Sequence, residues 1–372
     1  MLQKFLCLLK LIERSKMQKI IENFTTQGGK HCITNSLKQI FSYYGYSLSE
    51  EMMFGLASGL SFIYINQSNY PMINGRIKVF EFEKKLAERL NIKIRCRAGK
   101  VYSRIFDITK NMIDNNNPVL IYVDMPYLNY LHLNKNSHFG GHAVVLFGYD
   151  DSSKKFWVSD RDNSDYQIKV PTGLLAQDYH LVDYDEIQKA RSSTYPPFPA
   201  NNKYLVFDFQ GYTPVSKKIL FEAISETCKS MLNPPAQLLG VNGILKFSKE
   251  IVKWKQFNPQ KLRSVCATNY FQISRDGGTG GGIFRNMYGE FLIEVSSILD
   301  DMRFYELGKE FINASKLWDN IADTLWQLSL NGNLELLSQM STSIFQIYEI
   351  EKALFHSLSD IASETVVCNY DE

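Results

Sequence analysis

The sequence lacks several features that would point to a special class of protein. It has no run of about 18 or more apolar residues, so no transmembrane helix is expected. Lys and Arg exceed Asp and Glu by only two, 41 against 39, which argues against nucleic-acid binding by bulk charge. The six cysteines are scattered without a CxxC pair, which disfavours a disulfide framework and a zinc site. We therefore expect a cytoplasmic protein with no metal, no nucleic-acid partner and no membrane partner.

The N-terminus does not have the pattern of a signal peptide. The apolar patch in MLQKFLCLLK is interrupted by Lys10, and no small-residue cleavage site follows it. We predict a disordered extension over residues 1–16, with Met17 as an alternative start.

The chain changes character near residue 212. Before it, short runs rich in Val, Ile, Phe and Tyr are bounded by turn residues, which is the pattern of β-strands; examples are PVLIYVDM, AVVLFGYD and KFWVSD. After it, apolar residues recur at spacings of three and four, which predicts a series of helices. We predict an α+β protein, with a mixed α+β domain over residues 17–211 and an all-α helical bundle over residues 212–372.

A cysteine precedes a predicted helix. TTQGGKHCITNSLKQIFSYYG places Cys32 after two glycines and before an amphipathic segment that ends at Gly45. At a helix N-terminus the dipole and the backbone N–H groups favour a thiolate, and they also stabilise an oxyanion. Cys32 is therefore a candidate nucleophile. The alternative is a small cysteine buried in the core.

A histidine and an aspartate lie at the ends of two consecutive predicted strands. HFGGHAVVLFGYDD places His142 at the start of one strand, and FWVSDRDN places Asp160 at the end of the next. A base held by a third polar group is the general arrangement that activates a nucleophile, so we predict a catalytic set of Cys32, His142 and Asp160. A structural histidine in a tight turn is the alternative for His142. His138 has helical metal-site spacing from His142, but the glycine pair between them argues against a helix.

The oxyanion donor is less well defined. Gln27 lies five residues before Cys32, where its side-chain amide would sit beside the Cys32 backbone N–H. Thr26 or a backbone amide are alternatives.

These segments resemble a known family. GKHCITNSLKQIFSYYGYSLSEEMMFGLASGLSFIY, PVLIYVDMPYL, HFGGHAVVLFGYDD and VSD are similar to the N-terminal domain of the butirosin biosynthesis protein H family. GGTGGGIFRNMYGEFL and KLWDNIADTLW resemble the helical domain that commonly follows it. The resemblance spans about residues 20–360, and it implies a papain-like cysteine-peptidase-type fold for the N-terminal domain.

The resemblance implies amide-forming acyl transfer. The butirosin member moves an aminoacyl group from an acyl carrier protein to an aminoglycoside amine, and the related closthioamide-type amide synthase acylates a diamine. By this resemblance Cys32 would accept the acyl group, His142 would act as base and Asp160 would orient it. The segment SDRDN lacks the Asp-Pro of many relatives, so Asp162 and Asn163 remain alternatives for the orienting group.

The implied partners are an acyl carrier protein as donor and a small-molecule amine as acceptor. The substrate would be carried on the phosphopantetheine of the carrier protein, and no cofactor would be bound to the enzyme itself. A homo-oligomer is left open. The alternative functions are a cysteine peptidase or amidase and a non-catalytic binding module.

Three further segments have open roles. The glycine-rich residues 277–282, followed by Arg285, would form a phosphate cradle, a domain-closing loop or a flexible interhelix loop. EEMMFGLASGLSFIY would line an acyl pocket or belong to the core. LKFSKEIVKWKQFNPQKLR, with six basic residues and one acidic residue, would attract an acidic carrier protein or form a solvated helix face.

Overall fold

A computed structural model describes residues 17–67, 69–196 and 198–368. Helices cover 54% and strands 17%, which confirms the mixed α+β class and the C-terminal helical region. No helix within these ranges has both the length and the apolar character that crossing a membrane requires. The extension predicted for residues 1–16 lies outside the described residues.

The described ranges contain strands and helices that we number in chain order. The strands are β1 (Gln18–Ile20), β2 (Leu60–Gln67), β3 (Tyr70–Arg76), β4 (Lys93–Arg97), β5 (Val119–Val123), β6 (His142–Asp150), β7 (Lys155–Ser159), β8 (Ile168–Val170), β9 (Gly173–Leu175), β10 (His180–Asp183) and β11 (Tyr204–Asp208). The helices are α1 (Cys32–Tyr43), α2 (Glu50–Leu56), α3 (Glu81–Arg89), α4 (Tyr102–Asp114), α5 (Tyr184–Ser192), α6 (Lys217–Leu232), α7 (Gly240–Ile251), α8 (Pro259–Ile273), α9 (Arg285–Leu299), α10 (Met302–Asn331) and α11 (Glu335–Cys368). Two short 3₁₀ turns, Met125–Tyr127 and Asn129–Leu131, lie between β5 and β6.

The chain forms two compact units. The first contains the described residues up to Leu48 together with Lys93–Phe209, and the second contains Ser49–Ile92 together with the chain from Gln210 onwards. The chain passes from the first unit to the second for the last time between Phe209 and Gln210, close to the predicted domain boundary near residue 212. Ser49–Ile92, which the sequence places in the first domain, instead packs with the C-terminal helices. The unit predicted to be all-α therefore also contains the β2–β3 hairpin.

Long-range hydrogen bonds hold the segment Ser49–Ile92 within the second unit. The Ser49 hydroxyl donates to Glu294 on α9 at 2.7 Å. The Asn269 side chain on α8 accepts from the Ile73 backbone N–H at 2.9 Å. These contacts join residues 245 and 196 positions apart. Local periodicity carries no information on such pairings, because it reports only which face of each element is buried.

The first unit is built on an antiparallel sheet in which β6 is a central strand. The strand order is β10-β7-β6-β5-β11-β4, and β1 also pairs with β6. His142, the first residue of β6, lies opposite Val123 at the end of β5. On the other side of β6, Val145 lies opposite Ser159, the last residue of β7. The start of β6 and the end of β7 therefore lie at the same edge of the sheet.

Helix α1 packs one face into the core of the first unit. Ile33, Leu37 and Ile40 are fully buried, and their spacing places them along one side of the helix. The helix ends at Tyr43 with Tyr44 as its C-cap, and the next residue, Gly45, has a φ of +86°, a left-handed conformation that favours glycine. Burial of this face fixes the position of the N-terminal end of α1.

Candidate functional site

Cys32 is the first residue of α1 and is half-buried. The preceding residue, His31, is the N-cap with extended backbone angles, and its carbonyl accepts from Asn35 N–H at 2.8 Å. The thiol therefore lies at the positive end of the helix dipole, where a negative charge is stabilised. Of the other described cysteines, Cys228 and Cys266 are buried, and burial raises the pKa of each thiol to about 12.

His142 and Asp160 are in direct contact. Nε2 of His142 lies 2.8 Å from Oδ2 of Asp160, and both residues are buried. The Cys32 thiol also acts on this imidazole, because it is one of the groups that raise the pKa of His142. The structure thus pairs the predicted base with its predicted orienting group, and the assignment of Cys32, His142 and Asp160 as a catalytic set stays a prediction. The pairing of β6 with β7 accounts for the contact between His142 and Asp160.

Burial and charge act in opposite directions on this pair. Burial alone would lower the pKa of His142, but the Asp160 carboxylate and, to a smaller extent, Cys32 raise it to about 10. Burial would raise the pKa of Asp160, but His142, the Tyr130 hydroxyl and the Arg161 backbone N–H lower it to about 2. At neutral pH the pair is therefore an imidazolium and a carboxylate. A cation beside Cys32 favours the thiolate.

Cys32 is expected to react with iodoacetamide well below pH 7. Because the imidazolium persists up to a pH of about 10, the thiolate keeps its cationic partner through the neutral and mildly acidic range. An ordinary thiol, with a pKa near ~8.5, loses about 10²-fold in rate between pH 8 and pH 6. We expect the rate at Cys32 to fall by less than about threefold over the same interval, as measured by mass spectrometry of the Cys32 peptide.

The exposed thiol of Cys96 on β4 provides the comparison within the same digest. If Cys32 and Cys96 lose rate in parallel between pH 8 and pH 6, the imidazolium does not stabilise a thiolate at Cys32. A total loss of Cys32 alkylation at every pH would contradict its accessibility.

The two alternatives to Asp160 have other partners. The Asp162 carboxylate lies 3.0 Å from Nε2 of His180. Asn163 exchanges backbone hydrogen bonds with Tyr166 in a tight turn and donates from its side chain to the Thr26 carbonyl at 3.4 Å. Asp160 is therefore the residue that contacts His142. His138 instead places Nδ1 2.8 Å from the buried Asp124 carboxylate.

The structure fixes the backbone of Gln27 beside α1. The Gln27 N–H donates to Gln39 Oε1 at 3.3 Å, and the Gln27 carbonyl accepts from Asn35 Nδ2 at 2.9 Å. Residue Gln27 is half-buried. These contacts hold the loop before Cys32 in place, and the oxyanion role of the Gln27 side chain stays a prediction.

Three polar residues around the site are missing from the sequence prediction. Asn35 on α1 donates to the Asp160 carbonyl at 3.1 Å as well as to the loop before Cys32. Gln39, one turn later, accepts from the Ser159 hydroxyl at 2.7 Å. Both residues are buried on the face of α1 opposite its apolar stripe, so the apolar periodicity of the sequence gives no signal for them. Tyr130, which donates to Asp160 Oδ2 at 2.8 Å, lies in a single 3₁₀ turn and has no periodic signal.

The glycine-rich loop is a packing element of the second unit. Gly282 has a φ of +52°, and a Cβ there would lie 2.3 Å from the Ser315 backbone on α10. Its N–H donates to the Asp319 carboxylate at 2.8 Å. The Asp319 carboxylate therefore already accepts from the Gly282 N–H, which a bound phosphate would need as a donor. Its negative charge would also repel a phosphate. The loop allows close approach to α10, which argues against the phosphate-cradle interpretation.

Arg285 does not reach solvent. Its guanidinium binds both carboxylate oxygens of Glu351 at 2.8 Å, and both side chains are fully buried. A further hydrogen bond at 3.1 Å joins Nη1 to the Ser61 carbonyl. The interpretation of Arg285 as a phosphate ligand is therefore wrong.

The run EEMMFGLASGLSFIY belongs to the second unit, where its largest side chains are buried. Phe54 stacks on Phe284 at 5.3 Å, and Phe62 stacks on Trp318 at 5.5 Å. Both phenylalanines are fully buried within that unit. Core packing, one of the two alternatives, accounts for these residues.

Most of the basic run is exposed on the second unit. The exposed members lie on α7, in the turn after it and on α8; they are Lys246, Lys249, Lys253, Lys255 and Arg263. Lys253 is paired with Glu250 at 2.7 Å, and Lys261 lies over the Phe257 ring at 4.0 Å. The surface remains compatible with a solvated face and with an acidic partner.

Comparisons with known proteins match two consecutive parts of the chain. Residues 31–161 match the family model described as butirosin biosynthesis protein H, N-terminal, which supports membership of a family of this kind. Residues 185–358 match the model described as a domain of unknown function, DUF4872. No curated protein matches the chain. The first match contains Cys32, His142 and Asp160.

Proposed function

We propose that the protein is an amide-forming acyltransferase of natural-product biosynthesis. It moves an acyl group from a carrier-protein thioester, through a Cys32 acyl-enzyme, to an amine. One observation carries the proposal: the imidazole of His142 lies 2.8 Å from the Asp160 carboxylate, and the Cys32 thiol at the head of α1 is near enough to raise the pKa of that imidazole. The match of residues 31–161 supports a biosynthetic, acyltransferase-like role.

The proposal includes a papain-like fold for the first unit. A helix that carries the nucleophile at its first residue packs beside an antiparallel sheet that carries the base and its orienting group at one edge. The order along the chain is cysteine, histidine, aspartate. This arrangement serves nucleophilic attack on a carbonyl, because helix N–H groups and the activated thiolate converge on the same atom.

The first step is acylation of Cys32. The thiolate attacks the thioester carbonyl, and the C–S bond to pantetheine breaks as the new C–S bond forms. Because Nε2 of His142 is held by Asp160, Nδ1 is the nitrogen that faces the reacting sulfur and gives its proton to the leaving pantetheine thiolate. The oxyanion is stabilised by the Cys32 backbone N–H, with Gln27 as the second donor.

The second step is transfer to the amine. The neutral imidazole of His142 takes a proton from the amine nitrogen as that nitrogen attacks the acyl-enzyme carbonyl. Collapse of the tetrahedral intermediate releases the amide and regenerates the Cys32 thiolate beside an imidazolium. An amide is more stable than a thioester, so this step drives the overall reaction. Water must be excluded from the site, because it would give the free acid in place of the amide.

The donor partner in this proposal is an acidic acyl carrier protein, and the acceptor is a small-molecule amine. The phosphopantetheine arm belongs to the carrier protein, and the enzyme itself needs no bound cofactor. The exposed basic residues of α7 and α8 support an electrostatic approach of that carrier protein.

Incubation with an acyl-pantetheine thioester tests the proposal. We expect intact mass spectrometry to show one added acyl group on the wild-type protein and none on Cys32→Ala. Cys96→Ala removes an exposed thiol away from the site and is expected to acylate like the wild type. Addition of a primary amine should discharge the acyl-enzyme as an amide.

Three outcomes separate the alternatives. Full turnover by Cys32→Ala would exclude this mechanism. Rapid release of the free acid, unaffected by added amine, would indicate a cysteine peptidase or amidase. An unreactive Cys32 in a folded protein would indicate a non-catalytic binding module.

A further inference from the structure

Two histidine–aspartate pairs of the first unit lie on either side of one tyrosine. One pair is His142 with Asp160, and the other is His180 with Asp162. Tyr130 contacts the aspartate of the first pair and the histidine of the second. The proposed mechanism uses only the first pair, so the role of the other three residues needs a separate explanation.

The Tyr130 hydroxyl shares an acceptor with the catalytic histidine. It donates to Asp160 Oδ2 at 2.8 Å, and Nε2 of His142 lies 2.8 Å from the same oxygen. The other oxygen, Oδ1, accepts from the Arg161 backbone N–H at 2.7 Å. Three donors therefore hold the buried carboxylate at one orientation, and Tyr130 is the member that a point mutation can remove cleanly.

The Tyr130 ring is itself held in place. It lies flat on the His180 ring, with 3.8 Å between centroids and 5° between planes. His180 is anchored by Asp162, and the Asp162 carboxylate also accepts from the Gln177 backbone N–H at 2.9 Å. His180 and Asp162 are both buried. The stack therefore fixes the direction from which the hydroxyl meets Asp160.

We propose that Tyr130 is a positioning residue that acts on His142 through Asp160. Stacking on His180 gives it a fixed geometry. The inference rests on the proposed function, which assigns Cys32 and His142 as the reacting pair.

The hydroxyl has a predictable effect on the pH dependence of the site. Its hydrogen bond favours the ionised carboxylate, so without it Asp160 takes up a proton at a higher pH and the imidazolium loses its partner there. A lost hydrogen bond to a charged group corresponds to about one pH unit or more. The titratable or charged groups around this network are Cys32 on α1, Tyr130, His142 on β6, Arg161 and Asp162 after β7, His180 on β10 and Glu186 on α5.

The test is the pH profile of Cys32 alkylation in Tyr130→Phe. The acid limb is the part of this profile in which the alkylation rate falls as the pH falls. We expect its midpoint to shift to a higher pH by about one unit, and the rate at alkaline pH to stay within about twofold of the wild type. Tyr149→Phe is the matched control, because it removes another tyrosine–aspartate hydrogen bond of the same unit. The Tyr149 hydroxyl donates to Asp114 Oδ1 at 2.6 Å. The profile of this control should coincide with that of the wild type.

A second variant tests the stack. His180→Gln keeps an N–H donor for Asp162 but removes the ring, and we expect a smaller shift of the acid limb in the same direction. It also keeps the inference testable if Tyr130→Phe does not fold, as judged by circular dichroism. An unshifted acid limb in both folded variants, with a lower melting temperature, would mean that Tyr130 has a structural role only.

Failure of the proposed function would look different. Alkylation needs no acyl donor, so a shifted limb in a protein that never forms an acyl-enzyme would overturn the acyltransferase assignment and leave the role of Tyr130 standing.

Discussion

Replacing His142 with alanine is expected to slow amide formation by about 10²–10⁴-fold, the usual contribution of a positioned general acid–base. The variant loses the proton carrier for both steps and the cation that favours the Cys32 thiolate. Single-turnover measurement of acyl-enzyme formation and amide release separates the two losses. Added imidazole should restore part of the rate, because the vacated volume is adjacent to Asp160.

His138 provides the matched control. It lies four residues before His142 and makes the same kind of contact, with Nδ1 2.8 Å from Asp124. His138→Ala is expected to keep the rate within about tenfold of the wild type. If His142→Ala retains the rate to the same extent, the imidazole is not the base of this reaction.

The contact between His142 and Asp160 was predictable, because the pairing of two strands that follow each other closely in the chain can be inferred from the local sequence. The runs around β6 and β7 are short, apolar and separated by the Asp150–Lys154 turn region, so a hairpin is the simplest pairing. A hairpin brings the start of one strand to the end of the next, which places His142 near Asp160. Cys32 was identified by a different local signal, the glycine pair before an amphipathic helix.

The unit to which Ser49–Ile92 belongs was not predictable in this way. Its helices and hairpin have ordinary amphipathic patterns that any apolar surface would satisfy. The segment packs within the second unit because of specific long-range contacts, such as Ser49 with Glu294 and Asn269 with Ile73. By contrast, the start of α8 follows from a local signal: Asn258 stands before Pro259, and its side chain accepts from the Lys261 N–H at 2.9 Å.

Arg285 shows how a local motif leads to a wrong interpretation. An arginine in the first turn of a helix after several glycines has the appearance of an anion site. The partner that decides its role is Glu351, 66 residues later on α11. The local sequence does not show whether a charge is neutralised in the core. Only the fold therefore distinguishes an anion ligand from a buried ion-pair partner.

Breaking the Arg285–Glu351 pair is expected to cost about 3–5 kcal/mol of the free energy of unfolding. Both side chains are fully buried, and Glu351 Oε1 also accepts from the Trp318 indole N–H at 2.6 Å. Arg285→Met leaves the carboxylate without its cation, and Glu351→Leu leaves the guanidinium without its anion. Urea unfolding, followed by tryptophan fluorescence, measures the loss.

A double replacement separates the contribution of the ion pair from the cost of leaving one buried charge without a partner. Because much of the cost of each single variant comes from the charge left behind, Arg285→Met combined with Glu351→Leu should be less destabilised than either single variant. Arg303→Met is the surface control: Arg303 is half-exposed and pairs with the exposed Glu364, so the unfolding midpoint should barely move. A double variant that loses the sum of the two single losses would show that Arg285 and Glu351 are not energetically coupled, which would contradict this explanation.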